Sequence, residues 1–534
     1  MERQEYPKEQ LRRQVRLSYM QIYRRYGVLL GVSLVIFACN LPSSTAIPPS
    51  LPTQEIAPAI PSPGVAPSPA PTFSYQPIFE PAPCAFAVPS GYQPECGYLI
   101  VPENRARADR PMIRLHIAVF RSHAGFPAPD PVVHLAGGPG SSSLAVADYI
   151  LGRGLDAVLA QRDLIFFDQR GTGSSIPRLD CPERESITSL LLSGSLSDED
   201  QQAAVLDAFR RCRERLMTQG VDLSAYHSAA SAADLNDLRL ALGYETLNLY
   251  AVSYGTRLAL TLMRDHPAAV RSAVLDSAYP LEVNLYTSLA PNAERAFGVF
   301  FERCASTPDC NTAYPDLGAV FYGLVDQLNA YPVLVSLYAG GAEQAVSLDG
   351  GLLIDVLFVG LYNPAVTASM PEMIYDIRDG EYAILRERLA LYFDTSSALG
   401  MQMAVQCAEE FPFGSAEEAF IAAQGVRPQI ASYYTASVQP LFAVCREWMA
   451  AAPDPAENLP VASDLPVLVL AGDHDPITPP EWGQRISHYL PQSYFHGFPG
   501  HGHWVTRSSR CAVALALAFW NEPAVDPGLT ASCP

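Results

Sequence analysis

The chain has 534 residues, 49% of them hydrophobic and 17% charged, which is enough apolar material for a large core and excludes general disorder. Its formal net charge is −20. The first 38 residues carry seven basic and three acidic side chains, so the remainder holds −24, a charge that repels phosphate backbones and excludes nucleic acid as a partner.

The chain opens on a basic stretch ending at Arg24 and Arg25, followed by the apolar run GVLLGVSLVIFA at 27–38. That run of 12 residues falls short of the roughly 20 needed to span a bilayer, and it reads as an export signal over residues 1–39. Ile36-Phe37-Ala38-Cys39 resembles a bacterial lipobox and predicts a lipid anchor at Cys39 on the bacterial cell surface. The alternative is an ordinary signal peptide and simple secretion. Residues 42–83 contain 13 prolines and only two charged side chains, Glu55 and Glu80, so 40–83 is expected to be a semi-rigid stalk without a core.

Ten cysteines follow the stalk: Cys84, Cys96, Cys181, Cys212, Cys304, Cys310, Cys407, Cys445, Cys511 and Cys533. An even set without a C-x-x-C pair predicts disulfides in an oxidising compartment. Pairing of neighbours is the simplest connectivity and gives five short loops.

From Cys84 the pattern is α/β. Ile113, Leu115, Ile117 and Val119 alternate with Arg114, His116 and Ala118, as in a half-buried strand. Four apolar runs then end in glycine-bearing turns, at 131–140, 163–173, 246–255 and 465–475, and suit central strands covered on both faces. Helical spacing recurs in 232–242, through Leu235, Leu238 and Leu242, and in 254–265. Strands alternating with helices predict a mostly parallel, doubly wound sheet. Residues 283–455 are rich in Tyr, Ala and Leu and read as a mainly helical insertion, a cap over the carboxyl edge of the sheet. The core is thereby split into 84–282 and 456–534.

Three segments carry chemistry. Ala251-Val252-Ser253-Tyr254-Gly255 lies between a strand and a helix, the setting of a nucleophile elbow that raises a serine hydroxyl above the sheet. His134-Leu135-Ala136-Gly137-Gly138-Pro139-Gly140 follows an earlier strand. Its glycines let backbone N–H groups approach an oxyanion, with Gly138 as the first donor and Tyr254, directly after the serine, as the second. Late in the chain come Asp473 and Asp475 in GDHDPITP, then His501 and His503 in FPGHGHW. Either aspartate and either histidine fits the order Ser, Asp, His of an α/β-hydrolase. The H-x-H pair lacks third and fourth ligands at metal spacing, and no cofactor motif is present. Asp168-Gln169-Arg170-Gly171 is expected to tie a turn through a local arginine–carboxylate bond.

With these pieces the chain resembles the secreted α/β-hydrolase serine exopeptidases of the proline iminopeptidase and tripeptidyl aminopeptidase family. The matching residues are GGPG at 137–140, DQRGTGSS at 168–175, SYGT at 253–256, GDHDPITP at 472–479 and GH at 502–503, spread over the whole body from 84 to 534. The resemblance implies Ser253, Asp475 and His503 as the triad. Ala251 and Ala136 depart from the family pattern and touch no reacting group. It further implies that cap carboxylates hold the free amine of the substrate. The matching stretch is Val405-Gln406-Cys407-Ala408-Glu409-Glu410, with Glu409 first and Glu410 after it. The expected activity is release of residues from peptides with a free N-terminus, with membrane contact only through lipid at Cys39. Two alternatives use the same scaffold: an esterase or other small-molecule hydrolase, and a surface binding lipoprotein without catalysis.

Overall fold

The computed structural model describes residues 75–107, 111–448 and 454–528. The export signal, Cys39, most of the proline-rich segment and Cys533 lie outside the described residues.

Eleven strands are described: β1 (Ile78–Pro81), β2 (Glu95–Pro102), β3 (Met112–Phe120), β4 (Val132–Leu135), β5 (Leu164–Phe167), β6 (Leu247–Val252), β7 (Val270–Asp276), β8 (Val333–Ala339), β9 (Ala342–Leu348), β10 (Val467–Gly472) and β11 (Ser493–Phe498). Nine of them form one sheet in the order β1-β2-β3-β5-β4-β6-β7-β10-β11. The pairs from β5 through β11 are parallel, and β1, β2 and β3 join antiparallel at one edge. The apolar runs read from sequence become β4, β5, β6 and β10, and every residue of these four is buried. The reason is coverage on both faces, which is what parallel strands require.

The helices that matter for the site are α1 (Asp198–Thr218), α2 (Ser228–Ala241), α3 (Tyr254–Asp265), α4 (Leu285–Ser306), α5 (Gly350–Gly360), α6 (Leu399–Glu409), α7 (Pro428–Trp448) and α8 (Arg510–Asn521). On one face, Leu235 and Leu238 of α2 and Leu258 and Leu262 of α3 pack with Leu249 of β6 and Val469 of β10. On the other, Phe519 and Trp520 of α8 pack with Tyr250, Phe166 and Leu470.

The structure corrects the sequence reading in four places. The sheet begins at Ile78, inside the segment read as stalk, because β1 pairs with β2. There, Gly97 leaves room for the Phe79 ring, which a Cβ would meet at 2.6 Å. Strands β2, β7 and β11 had no sequence counterpart. Within the insertion between β7 and β10, read as mainly helical, β8 and β9 add an antiparallel hairpin that the sequence reading did not include. Finally, α1 belongs with that insertion although it precedes β6: Phe209 of α1 packs edge-on against Trp448 of α7, at 6.2 Å between ring centroids.

Four disulfides join neighbours, Cys84–Cys96, Cys181–Cys212, Cys304–Cys310 and Cys407–Cys445. Cys511 is also disulfide-bonded.

Candidate active site

Strand β4 lies between β5 and β6, so the chain turns to opposite sides at the carboxyl ends of β4 and β6. Ligands of open α/β sheets bind in such a crevice. The segments at 137–140 and 251–255 both emerge there.

Ser253 sits between β6 and α3 with φ 58° and ψ −126°, a conformation that costs roughly 1–3 kcal/mol in a non-glycine residue. Its surroundings hold it there. The N–H of Ser253 donates to the Asp276 carbonyl at 3.0 Å. The Ser253 carbonyl accepts from the Thr256 hydroxyl at 2.6 Å, and that hydroxyl accepts from the Tyr279 N–H at 2.8 Å. Gly255 is needed for a steric reason: a Cβ would lie 2.1 Å from the Leu135 carbonyl oxygen at the end of β4. Only four described non-glycine residues have positive φ, and three of them, Ser253, Ser277 and Trp504, gather at this edge of the sheet.

Gly137 faces the serine so closely that a Cβ there would meet Ser253 Cβ at 2.8 Å. Gly138 and Gly140 follow with φ of 107° and 103°. The loop is held from outside. Asp168, at the end of β5, accepts from the Ser142 hydroxyl at 2.7 Å and from the Leu144 and Ser174 N–H groups. Gln169 donates to the Ala136 carbonyl at 3.0 Å. Arg170 does not bond its neighbour Asp168, contrary to the sequence expectation. It forms a two-pronged pair with Asp234 of α2, at 2.7 and 2.8 Å. The DQRG segment therefore braces the glycine loop with its aspartate and glutamine, and anchors to the helical layer with its arginine. Burial pushes the ring of His134 down to about 3, so it stays neutral in the wall of the site.

The two sequence ambiguities separate cleanly. Asp475 Oδ2 lies 2.8 Å from His503 Nδ1. Its other partners are the Ile477 and Thr478 N–H groups and the Thr478 hydroxyl. Burial alone pushes this carboxyl up, but the His503 ring and these donors more than offset it and hold it below the usual carboxylate range. Asp473 points elsewhere, to Arg303 at 2.7 Å and the Gly500 N–H at 2.6 Å. His501 pairs with Ser508.

A residue that sequence reasoning missed, Asp276 at the end of β7, holds the histidine loop from below. It accepts from the Val505 N–H at 2.7 Å and from the Thr506 N–H and hydroxyl at 2.8 and 2.6 Å. Ser277 adds a bond to the Trp504 N–H at 2.7 Å. The signal was a short apolar stretch, Ala273-Val274-Leu275, ending in a lone aspartate.

Ser253, Gly138, His503, Trp504 and Arg507, with Tyr362 of the insertion, line one pocket with about 500 Å³ of empty space, its opening to solvent included. The Tyr362 ring lies 4.9 Å from the His503 ring, centroid to centroid. Gly502 allows this approach, since a Cβ would meet the Leu361 carbonyl at 1.9 Å.

Glu409 and Glu410 do not line this cavity. Glu409 accepts from the Ser228 N–H and hydroxyl at 2.5 and 2.7 Å and from Arg257 at 3.1 Å. Glu410 accepts from the Leu285 N–H at 3.0 Å and pairs with the same Arg257 at 3.1 Å. All three side chains are at most 4% exposed. Both carboxylates are thus spent on an internal cation, and the expected amine-binding role is corrected to a structural one that ties α6 to α3. Removing one member of a buried pair leaves the other charge uncompensated. Glu409→Gln is therefore expected to lower stability by about 2–3 kcal/mol, read as a urea midpoint, without changing the preference for free-amine over N-acetylated substrates. A change in that preference with unaltered stability would restore the amine-binding role.

Residues 130–506 match the family described as alpha/beta hydrolase fold. Serine protease Hip1 of Mycobacterium tuberculosis is 24% identical over 423 residues, covering 74% of this chain and 79% of that protein. The tripeptidyl aminopeptidase of Streptomyces lividans is 31% identical over 196 residues, 34% of this chain and 35% of that one. A probable proline iminopeptidase of Streptomyces coelicolor is 29% identical over 157 residues, 29% of this chain and 35% of that one.

Proposed function

The chain belongs to the α/β-hydrolase fold family, and from that premise we propose that it is an extracytoplasmic serine peptidase that removes residues from the free N-terminal end of peptides. Ser253 Oγ attacks the scissile carbonyl, and His503 Nε2 takes its proton. Asp475 fixes the other ring proton on Nδ1 and stabilises the imidazolium. The N–H groups of Gly138 and Tyr254 receive the negative charge that develops on the carbonyl oxygen. Collapse of the tetrahedral adduct breaks the C–N bond, and His503 returns the proton to the leaving amine. Water then attacks the acyl-enzyme by the same route and regenerates Ser253.

One observation carries this reading: a serine on a strained elbow and a histidine paired with a buried aspartate border one cavity. The insertion acts as a cap over that cavity through Tyr362. A covered cavity suits the end of a chain better than a polypeptide passing through, which supports an exopeptidase. The three relatives, a serine protease, a tripeptidyl aminopeptidase and a probable proline iminopeptidase, are all named for peptide substrates. Export is supported by the disulfides and by the basic-then-apolar start of the chain.

A second reading, an esterase acting on uncharged substrates, draws support from the cavity wall, in which no acidic side chain takes part. Turnover of aminoacyl and tripeptidyl amides, each beside its N-acetylated form and a matched ester, separates the two. The peptidase reading expects free-amine amides to be preferred at least tenfold. Equal turnover of free and acetylated amides, or turnover of esters alone, would overturn it.

A further inference from the structure

The segment that carries the catalytic base also brings a cation into the pocket. Arg507 lines the same pocket as Ser253 and His503. The lining residues include no aspartate, glutamate or lysine and no second arginine, so this guanidinium gives the wall its one permanent charge. Its backbone is fixed. Arg507 lies in the short helix Val505–Ser508, just after His503. Its N–H donates to the Trp504 carbonyl at 3.0 Å, and its carbonyl accepts from the Tyr149 hydroxyl at 3.0 Å. Asp276 holds the N–H groups of the two residues before it. The cation and the base therefore share one braced segment.

The side chain finds only aromatic faces within the fold. The guanidinium carbon lies 5.4 Å from the centre of the Tyr149 ring and 5.8 Å from that of the Trp504 ring. Nε is buried without a hydrogen-bond partner, and among the described residues no carboxylate pairs with the group. Acidic side chains number 55 against 35 basic ones, and the arginines close by are taken up by them. Arg170 pairs with Asp234, Arg257 with Glu409 and Glu410, and Arg303 with Asp473. Aromatic rings attract a cation but leave its forked donors unsatisfied. Arg507 is half-buried, which leaves it within reach of a ligand in the pocket.

We propose that Arg507 is a specificity-determining residue that receives a carboxylate of the substrate, either the α-carboxylate that ends a short peptide or an acidic side chain near the scissile bond. The inference rests on the peptidase reading above and narrows its substrate class to peptides that bring an anion close to Ser253. A guanidinium presents paired N–H donors that match the two oxygens of a carboxylate, and the low dielectric of a covered pocket strengthens the pair. The same exchange explains why a cation without a counter-charge persists in the wall: its partner arrives with the substrate. The overall charge of −20 repels anions at long range, but salt screens that field beyond about 8–10 Å, whereas Arg507 acts at contact.

The test uses short free-amine peptides in matched pairs, ending in a carboxylate or a carboxamide, and carrying Glu or Gln at each position near the N-terminus. An aryl hemiester of a short dicarboxylic acid and its neutral carboxamide form a further pair. The readout is the ratio of kcat/KM within each pair for wild type, Arg507→Gln and Arg153→Gln. Arg153 stacks on the same Tyr149 ring at 4.9 Å but does not line the pocket, so its loss removes equal charge without touching the ligand. Wild type is expected to favour the carboxylate member of at least one pair about ten- to a hundredfold, through KM, and that pair identifies the source. Arg507→Gln should bring the ratio near one, while Arg153→Gln keeps it. Should Arg507→Gln fail to fold, Arg507→Lys decides: the charge stays, the fork is lost, and the ratio should fall several-fold. The absence of any wild-type preference overturns the proposal. So does a preference that survives the Arg507 substitutions or is lost equally in Arg153→Gln, and so does a loss shared by both members of a pair. Turnover of the ester pair without any peptide removes the peptidase reading alone, and the ester ratio then decides the role of Arg507.

Discussion

Ser253→Ala is expected to lower kcat about 10⁶-fold while leaving folding and stability unchanged. The size of the effect follows from how the triad works as a unit. Without the hydroxyl there is no acyl-enzyme, and His503 and Asp475 have nothing to activate. What survives is the contribution of the glycine loop and of substrate binding, typically 10³–10⁴ over water. The fold should be indifferent or slightly favoured. Ser253 Oγ makes no hydrogen bond that closes the elbow; the Thr256 hydroxyl and the Asp276 carbonyl do that through the Ser253 backbone. An alanine must still adopt φ near 58°, as serine does. The checks are single-turnover kinetics and a thermal melt on the same preparation. Loss of activity accompanied by a collapsed melting transition would not count as support.

Asp475→Asn is the second large effect, about 10⁴-fold in kcat with little change in KM. Asp475 accepts at four places, from His503, Ile477, Thr478 and the Thr478 hydroxyl. An amide retains an oxygen for the backbone donors but presents N–H to His503 Nδ1. The ring proton then moves to Nε2, the atom that must take the serine proton, and the base is blocked. Asp473→Asn serves as the comparison. That carboxylate is bound to Arg303 and the Gly500 N–H, so its loss should cost at most a few-fold in rate. Because the folded Asp475 carboxyl lies below its ordinary value, its contribution to stability is complete above the unfolded carboxyl pKa, about 4, and is lost as pH falls through the lower folded value. The two aspartates exchanging their effects would reverse the assignment of the acid.

The parts of this molecule that were legible in the sequence are those where one segment carries its own signal. β6 and β10 announced themselves because a strand buried on both faces must be an unbroken apolar run. The elbow was legible because strand, serine, glycine and helix are consecutive. Strand β11 was not, because SYFHGF sits at the sheet edge, half-exposed, and tolerates Ser493, His496 and Gly497. The brace under the histidine loop was hidden for a different reason. Asp276 bonds residues about 230 positions away, and nothing local distinguishes it from a turn aspartate. Glu409 and Glu410 failed in the same manner. A pair of acids before a turn looks like a binding site until Arg257, about 150 residues earlier in the chain, is seen between them.

The central claim, that Ser253 is an activated nucleophile in a working hydrolase, is tested most directly by reaction with a fluorophosphonate probe followed by peptide mapping. One phosphonyl group per chain is expected, on the peptide that contains Ser253, with labelling abolished in Ser253→Ala and strongly slowed in Asp475→Asn. An unlabelled wild type, or a label that maps elsewhere and persists in Ser253→Ala, would contradict the account and leave a binding protein on a hydrolase scaffold.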